Sequence, residues 1–271
     1  MRWARFRRGG HVGYGQLDGD TIKVYSGDIF DGAAPTGQTV KLAETELTTP
    51  CEPSKMVCLW NNFHALAAKL EVAEPPEPLW FLKAPSAFTA AGTTIRRPKG
   101  YDGPVVYEGE LGIVIGKACR EISEAEAADH IFGYTCVNDV TAATVIQKDP
   151  TFAQWARAKS YDGFGAFGPV IATGIDPMTL SVRTVLNGDE RQNYPVSDMI
   201  FPPHRLVSLL SHDVTLLPGD IVSTATPPAG AFYPGDVVEA EIEGIGVLRN
   251  PVAAVEVDTR YAREIELKDV V

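Results

Sequence analysis

Two glutamates one residue apart, Glu108 and Glu110 in the run VVYEGELGIVIGKAC, open the chemical reading of this sequence. On an extended strand, residues i and i+2 point to the same face, so this spacing sets two carboxylates side by side. Their mutual repulsion is costly unless a cation lies between them. A third carboxylate, Asp139, stands at the polar end of the apolar run GYTCVNDV. Three convergent carboxylates suit a hard cation with oxygen ligands: Mg2+, Mn2+ or Ca2+. The same glutamates also fit a solvent-facing strand on which both are hydrated, and the pattern alone leaves that open. His64, just after Asn61-Asn62, has the chemistry of a general base, though a lone histidine equally suits a core or surface place. Lys159, in RAKSYDGFGAFGP, could share negative charge beside a metal or could simply be solvated. Thr224 and Thr226, in STATPPAG, could offer hydroxyls to a substrate carboxylate or could serve a turn.

Other catalytic signatures are missing. The sequence has no GxSxG elbow, no HExxH pair and no GxxxxGK[ST] loop. Its five histidines (His11, His64, His130, His204 and His212) lack metal-ligand spacing, which argues against a histidine-rich zinc site.

The elements that must hold these residues are mostly strands. Residues 1–49 read as short strands and turns, with VGYGQLDGDTIKVYSG alternating apolar and polar residues around an Asp-Gly turn, a hairpin pattern, and predict a small β-rich unit. KMVCLW is a continuous apolar run suited to a buried strand. Residues 63–70 (FHALAAKL) predict a short amphipathic helix, ended by the Pro/Glu-rich stretch EVAEPPEPLW. That stretch is expected to be a lid-like loop. The run holding Glu108 and Glu110 is the strongest strand signal in the chain. SEAEAADHI predicts a helix with Ser123 as N-cap and Glu126 closing a capping box. VRTVLNGDERQNY predicts a hairpin around Asn187-Gly188, and PHRLVSLLS a short helix. Strands with Pro-Gly-Asp turns close the chain. The expected class is therefore α+β and strand-dominated, with a small β-rich domain over 1–52 and a catalytic domain over 53–271.

Composition narrows the function. The 271 residues carry 24 Lys+Arg against 35 Asp+Glu, a formal charge of −11. The pI near 4.9 argues against general nucleic-acid binding, which needs a basic face. No stretch approaches the apolar length of a membrane span. The basic start MRWARFRR runs into Gly-Gly-His-Val rather than an apolar segment, so no export signal is expected. Cys51, Cys58, Cys119 and Cys136 form no CxxC and are expected to be buried thiols. The expected compartment is the cytoplasm.

Together these segments resemble the fumarylacetoacetate hydrolase superfamily. The resemblance runs from Lys55 to Val252 and rests on six segments in the family's order. They are YEGELGIVIGK, GYTCVNDVT, AKSYDGFGAFGPVI, LNGDERQNYPVSDMIF, LSHDVTLLPGDIVSTATP and VEAEIEGIGVLRN. The resemblance implies a mixed β-roll, a homodimer, and Mg2+ or Mn2+ (Ca2+ in some members). It also implies a small 2-oxo or 1,3-dicarbonyl acid as substrate. Glu108, Glu110 and Asp139 match the family's metal carboxylates, and Lys159 its lysine beside the metal. His64 corresponds to the histidine that activates water or moves a proton. Gln147 lies close to the position of the site glutamine, and Thr226 matches the site threonine.

Three positions depart from the family pattern. Ala67 stands where many members pair the histidine with a glutamate, Ala143 where they have an arginine, and Ala225 where they have a glycine. Glu71 or Glu74 could replace the carboxylate missing at Ala67. The expected function is metal-dependent hydrolysis of a C–C bond in an acylpyruvate-type acid, through an enolate. Decarboxylation or isomerisation of dicarboxylic ring-fission products in aromatic catabolism is the alternative. Two non-catalytic readings also stand: a family member that binds metal and ligand without turnover, and a structural β-domain.

Overall fold

A computed structural model describes residues 1–227 and 229–253 of the chain. The stretch 254–271, assigned by sequence to the second domain, lies outside the described residues. Strands dominate and the helices are short, as the sequence leads one to expect. A 12-stranded sheet forms the backbone of the molecule. Its main path begins with Asp31–Lys41, Thr21–Asp28, His11–Asp18 and Arg2–Arg8. It continues through Gly165–Ala172, Ile131–Asp139, Gly109–Ile115, Ile221–Ser223, Met56–Trp60 and Leu79–Lys83. The N-terminal strands thus join the rest through the antiparallel pairing of Arg2–Arg8 with Gly165–Ala172. Ile221–Ser223 and Met56–Trp60 run parallel, and most other neighbours antiparallel. A four-stranded sheet (Asp189–Pro195, Ser181–Leu186, Val237–Ile242, Gly246–Pro251) packs beside this one, and a three-stranded sheet contains Val105–Tyr107.

Local rules account for the pieces. Asn187 and Gly188 both have positive φ (54° and 89°), the geometry a two-residue hairpin loop demands. Ser123 and Glu126 form the reciprocal capping box of the helix Glu124–His130. Gly109–Ile115 is buried along its whole length, because both of its faces are covered. Its apolar side chains Leu111, Ile113 and Ile115 enter a core that also holds Val57, Phe63, Val222 and Leu248. All four cysteines are free and buried. Burial pushes the Cys51 and Cys136 thiols up to about 12, so they remain protonated packing groups at neutral pH. Among the described residues, no helix is long and apolar enough to cross a membrane.

The strand carrying the two glutamates differs from the expectation. It is not continuous. Val105–Tyr107 belongs to the small sheet, Gly109–Ile115 to the large one, and Glu108 sits at the break between them. The reason lies in what Glu108 is tied to. Its N–H donates to Asn138 Oδ1 (3.0 Å), and its carbonyl accepts from Asp139 N (2.9 Å). The chain is pinned to the end of the neighbouring strand there and changes sheets. The two carboxylates therefore converge from a bend rather than from one flat face.

Candidate metal centre and active site

Glu108, Glu110 and Asp139 each offer one oxygen, and the three oxygens lie within 4.8 Å of one another. Asp139 is completely buried at the end of Ile131–Asp139, beside the start of Gly109–Ile115, so strand pairing itself delivers it to the glutamates. Glu110 is buried as well. Its Oε2 accepts hydrogen bonds from Ser223 Oγ and from Ala225 N (3.0 Å). Glu108 keeps 19% of its side chain exposed, and on that side the cluster meets solvent.

Two buried lysines face the carboxylates. Lys159 ends the helix Trp155–Lys159, and its ammonium donates to Asp139 Oδ2 (2.6 Å) and to Glu108 Oε2. Lys83, at the end of Leu79–Lys83, forms an ion pair with Asp139 Oδ1 at 2.5 Å. Its ammonium also donates to the carbonyls of Lys159 (2.5 Å) and Val140 (3.3 Å). Burial works to raise the Asp139 carboxyl, but the two ammonium groups outweigh it and hold it below the usual range. Glu110 has no lysine in contact, and burial, then the charges of Asp139 and Glu108, push its carboxyl well above the usual range. Burial raises Glu108 too, against the pull of Lys159. Burial opposes the charged form of Lys159, yet Asp139 and the two glutamates hold its ammonium firmly protonated.

Three carboxyl groups against two lysines leave Glu110 without a counter-charge in contact, and burial with its acidic neighbours then disfavours its charged form. An all-oxygen donor set with one carboxyl lacking a counter-charge, open on one side, fits a hard divalent cation, which would supply that charge.

The remaining sequence candidates fall into two groups. His64 opens the helix His64–Leu70, whose first turn is capped from outside by Asp198 Oδ2 accepting from Ala65 N (3.0 Å). His64 Nδ1 lies 2.6 Å from Glu74 Oε1, and both side chains are half exposed. The loop carrying Glu74 is held by Asn61 Nδ2, which donates to Ala73 O (3.3 Å). The next residue, Asn62, donates to Thr224 O (3.2 Å) and Phe201 O (3.3 Å), tying the helix entrance to the segment beside Glu110. Glu71, by contrast, caps the end of the helix in a left-handed conformation (φ 55°).

Thr226 is buried, and its Oγ1 accepts from Gln192 Nε2 (3.0 Å). Thr224 Oγ1 donates to Leu111 O (2.9 Å), a structural role that absorbs its hydroxyl. Ala225, where the family has glycine, adopts φ 68°, a left-handed conformation that presents its N–H to Glu110. Gln147 is exposed at the end of the helix Ala143–Ile146, away from the carboxylates' hydrogen bonds.

Sequence reading missed Lys83 and Ser223. A lone lysine closing the otherwise apolar strand LWFLK is a signal for Lys83, since burying its ammonium requires a partner. Nothing in the sequence marks Ser223.

Comparison with known proteins gives consistent results. Residues 55–253 match the family described as Fumarylacetoacetate (FAA) hydrolase C-terminal, and residues 1–50 match Rv2993c-like, N-terminal. The chain is 36% identical over 226 residues to oxaloacetate tautomerase YisK of Bacillus subtilis, covering 78% of this chain and 74% of that one. The solved structure of 5-carboxymethyl-2-hydroxymuconate delta-isomerase from Mycobacterium smegmatis is similar at a TM-score of 0.86 and 37% identity. That match covers 94% of this chain and 100% of that one. Maleylpyruvate hydrolase from Sphingobium sp. SYK-6, solved with manganese (II) ion and pyruvate, matches at a TM-score of 0.75 and 27% identity, covering 94% and 99% of the two chains.

Proposed function

The chain belongs to the fumarylacetoacetate hydrolase family, and from that premise we propose that it hydrolyses a carbon–carbon bond in a small acylpyruvate-type 2-oxo acid. Glu108, Glu110 and Asp139 would hold the divalent cation, Mg2+ or Mn2+. When bound, such an ion supplies Lewis-acid polarisation of a 2-oxo carboxylate unit. Lys159, with its ammonium between Glu108 and Asp139, adds positive charge beside the substrate oxygen on which negative charge collects. Glu74 holds His64 through Nδ1, which leaves Nε2 to take a proton from water. Water adds to the carbonyl remote from the carboxylate and the C–C bond breaks. The carbon that leaves with the electron pair is then protonated, giving pyruvate and a carboxylic acid. Thr226 and Gln147 are the substrate-binding side chains of this reading, Gln147 from an exposed position. A cytoplasmic homodimer belongs to the same reading, supported by the family resemblance and the free thiols.

The observation that carries hydrolysis is the His64–Glu74 contact, which supplies a base for water in a chain with alanine at position 67. A second reading, enol–keto isomerisation or decarboxylation of a dicarboxylic ring-fission product, is favoured by the similarity to the Mycobacterium smegmatis isomerase. Product analysis separates the two. With acetylpyruvate, Mg2+ and 18O-labelled water, hydrolysis yields equal amounts of pyruvate and acetate, with label in the acetate. Loss of enol absorbance without acetate would favour the second reading. An unchanged substrate across a panel of acylpyruvates and dicarboxylic dienols would end the catalytic account.

A further inference from the structure

A set of three aromatic rings lies beside the carboxylate cluster. The Phe81 ring lies 5.2 Å from Lys159 Nζ, a cation–π contact on the ammonium that also holds Asp139 and Glu108. Trp155 stacks on Phe81 with centroids 5.9 Å apart and planes 22° apart. Trp60 leans on Trp155 at 5.7 Å. All three rings remain partly exposed.

Backbone geometry explains why they gather there. Phe81 and Lys83 are two apart on one strand, and Lys83 touches Asp139, so the Phe81 ring shares the face that looks at the cluster. Trp60 is likewise two residues from Cys58, which is cross-strand to Phe81. Trp155 and Lys159 are four apart on one helix and share a face, while Arg157 falls on the other side. Arg157 is exposed there and donates to Gln154 Oε1 (2.7 Å). The aromatic row therefore extends outward from Lys159 to Trp60, four residues before His64, and the basic side chain of its own helix is turned away.

We propose that Trp60, Phe81 and Trp155 form the wall on which a neutral, planar, unsaturated or aryl substituent at the far end of the 2-oxo acid stacks. This rests on the functional reading above and narrows its substrate class. A substrate ending in a second carboxylate would find ring faces there, whose negative quadrupole disfavours an anion.

The test is calorimetric titration of the full-length protein, loaded with Mg2+, with three 2-oxo acids that have no cleavable acyl bond: pyruvate, phenylpyruvate and 2-oxoglutarate. Phenylpyruvate should bind about tenfold more tightly than pyruvate, the scale of one or two aromatic stacking contacts. Binding of 2-oxoglutarate should be no tighter than that of pyruvate. Trp60→Leu and Trp155→Leu should each remove roughly two- to tenfold of the phenylpyruvate advantage and leave pyruvate affinity unchanged. Trp155→Phe keeps a ring at that position and should retain most of the advantage, which guards against a folding defect in the leucine variant. Equal affinities for phenylpyruvate and pyruvate, tighter binding of 2-oxoglutarate, or an advantage that survives both leucine variants would each overturn the wall. Aromatic preference without acylpyruvate cleavage would overturn the reaction and leave the wall. Cleavage without preference would do the reverse, and failure of all three acids to bind would overturn both.

Discussion

Glu74 lies ten residues beyond His64, past the end of the helix and just before a run with three prolines, yet its carboxylate rests against the imidazole. The family pattern left two acidic candidates for the carboxylate missing at Ala67, and no rule of spacing separates them. The separation is tertiary: Asn61 fastens the loop at Ala73, one residue from Glu74, while Glu71 is spent as the left-handed end of the helix. With both side chains half exposed, the pair adds little to stability, so its value is orientation. Glu74→Gln should therefore lower kcat by up to roughly 10²-fold, the low end of what a positioned base contributes, with little change in melting temperature. Glu71→Gln should leave kcat near wild type. Steady-state kinetics on both variants checks this, and equal loss in the two would remove the special role of Glu74. That Glu108, Glu110 and Asp139 converge was an expectation of spacing and of the family resemblance, and their oxygens do lie within 4.8 Å of one another. Lys83 was hidden because its partner, Asp139, is 56 positions away in sequence and meets it only through the fold.

The bend at Glu108-Gly109 is what makes two neighbouring glutamates converge. Gly109 passes close to Ser181–Leu186: an added Cβ would overlap Thr184 Oγ1 and come within 3.4 Å of Ala240 Cβ. Thr184 is fully buried and its hydroxyl has no hydrogen-bond partner, so it has no room to yield but also little to lose. Tyr194 adds a hydrogen bond from its hydroxyl to Gly109 O (2.5 Å) that fixes the backbone. Gly109→Ala should destabilise the protein by about 1–3 kcal/mol, the usual cost of overpacking. Combining it with Thr184→Ala should recover most of that loss. Urea unfolding of the single and double variants measures it, and additive losses would show that the close approach is not the cause. Hairpins and caps were readable because they follow from local chemistry, as at Asn187-Gly188 and Ser123. The strand break at Glu108 was not, because VVYEGELGIVI has continuous strand propensity and the interruption is imposed by Asn138 and Asp139 on a neighbouring strand.

At the scale of the molecule, one sheet runs from the N-terminal strands to the edge strand Leu79–Lys83, and the carboxylates sit where its central strands meet the smaller sheets. The order of segments made the family legible. The long-range pairing of Arg2–Arg8 with Gly165–Ala172 was not, since short strands of similar propensity do not encode their partners. The fold gathers three acidic groups around two lysines and leaves Glu110, its carboxyl pushed up, without a counter-charge in contact; in the function proposed above a divalent cation completes this centre. The direct measurement is thermal unfolding of wild type and Glu110→Gln with and without excess Mg2+. A ligand at a hundredfold excess over Kd stabilises by about 2.7 kcal/mol, which for a chain of this length raises Tm by several degrees. Wild type should show that rise and Glu110→Gln should lose most of it. An equal response in the two proteins, or none in wild type with either Mg2+ or Mn2+, would contradict the assignment of the centre.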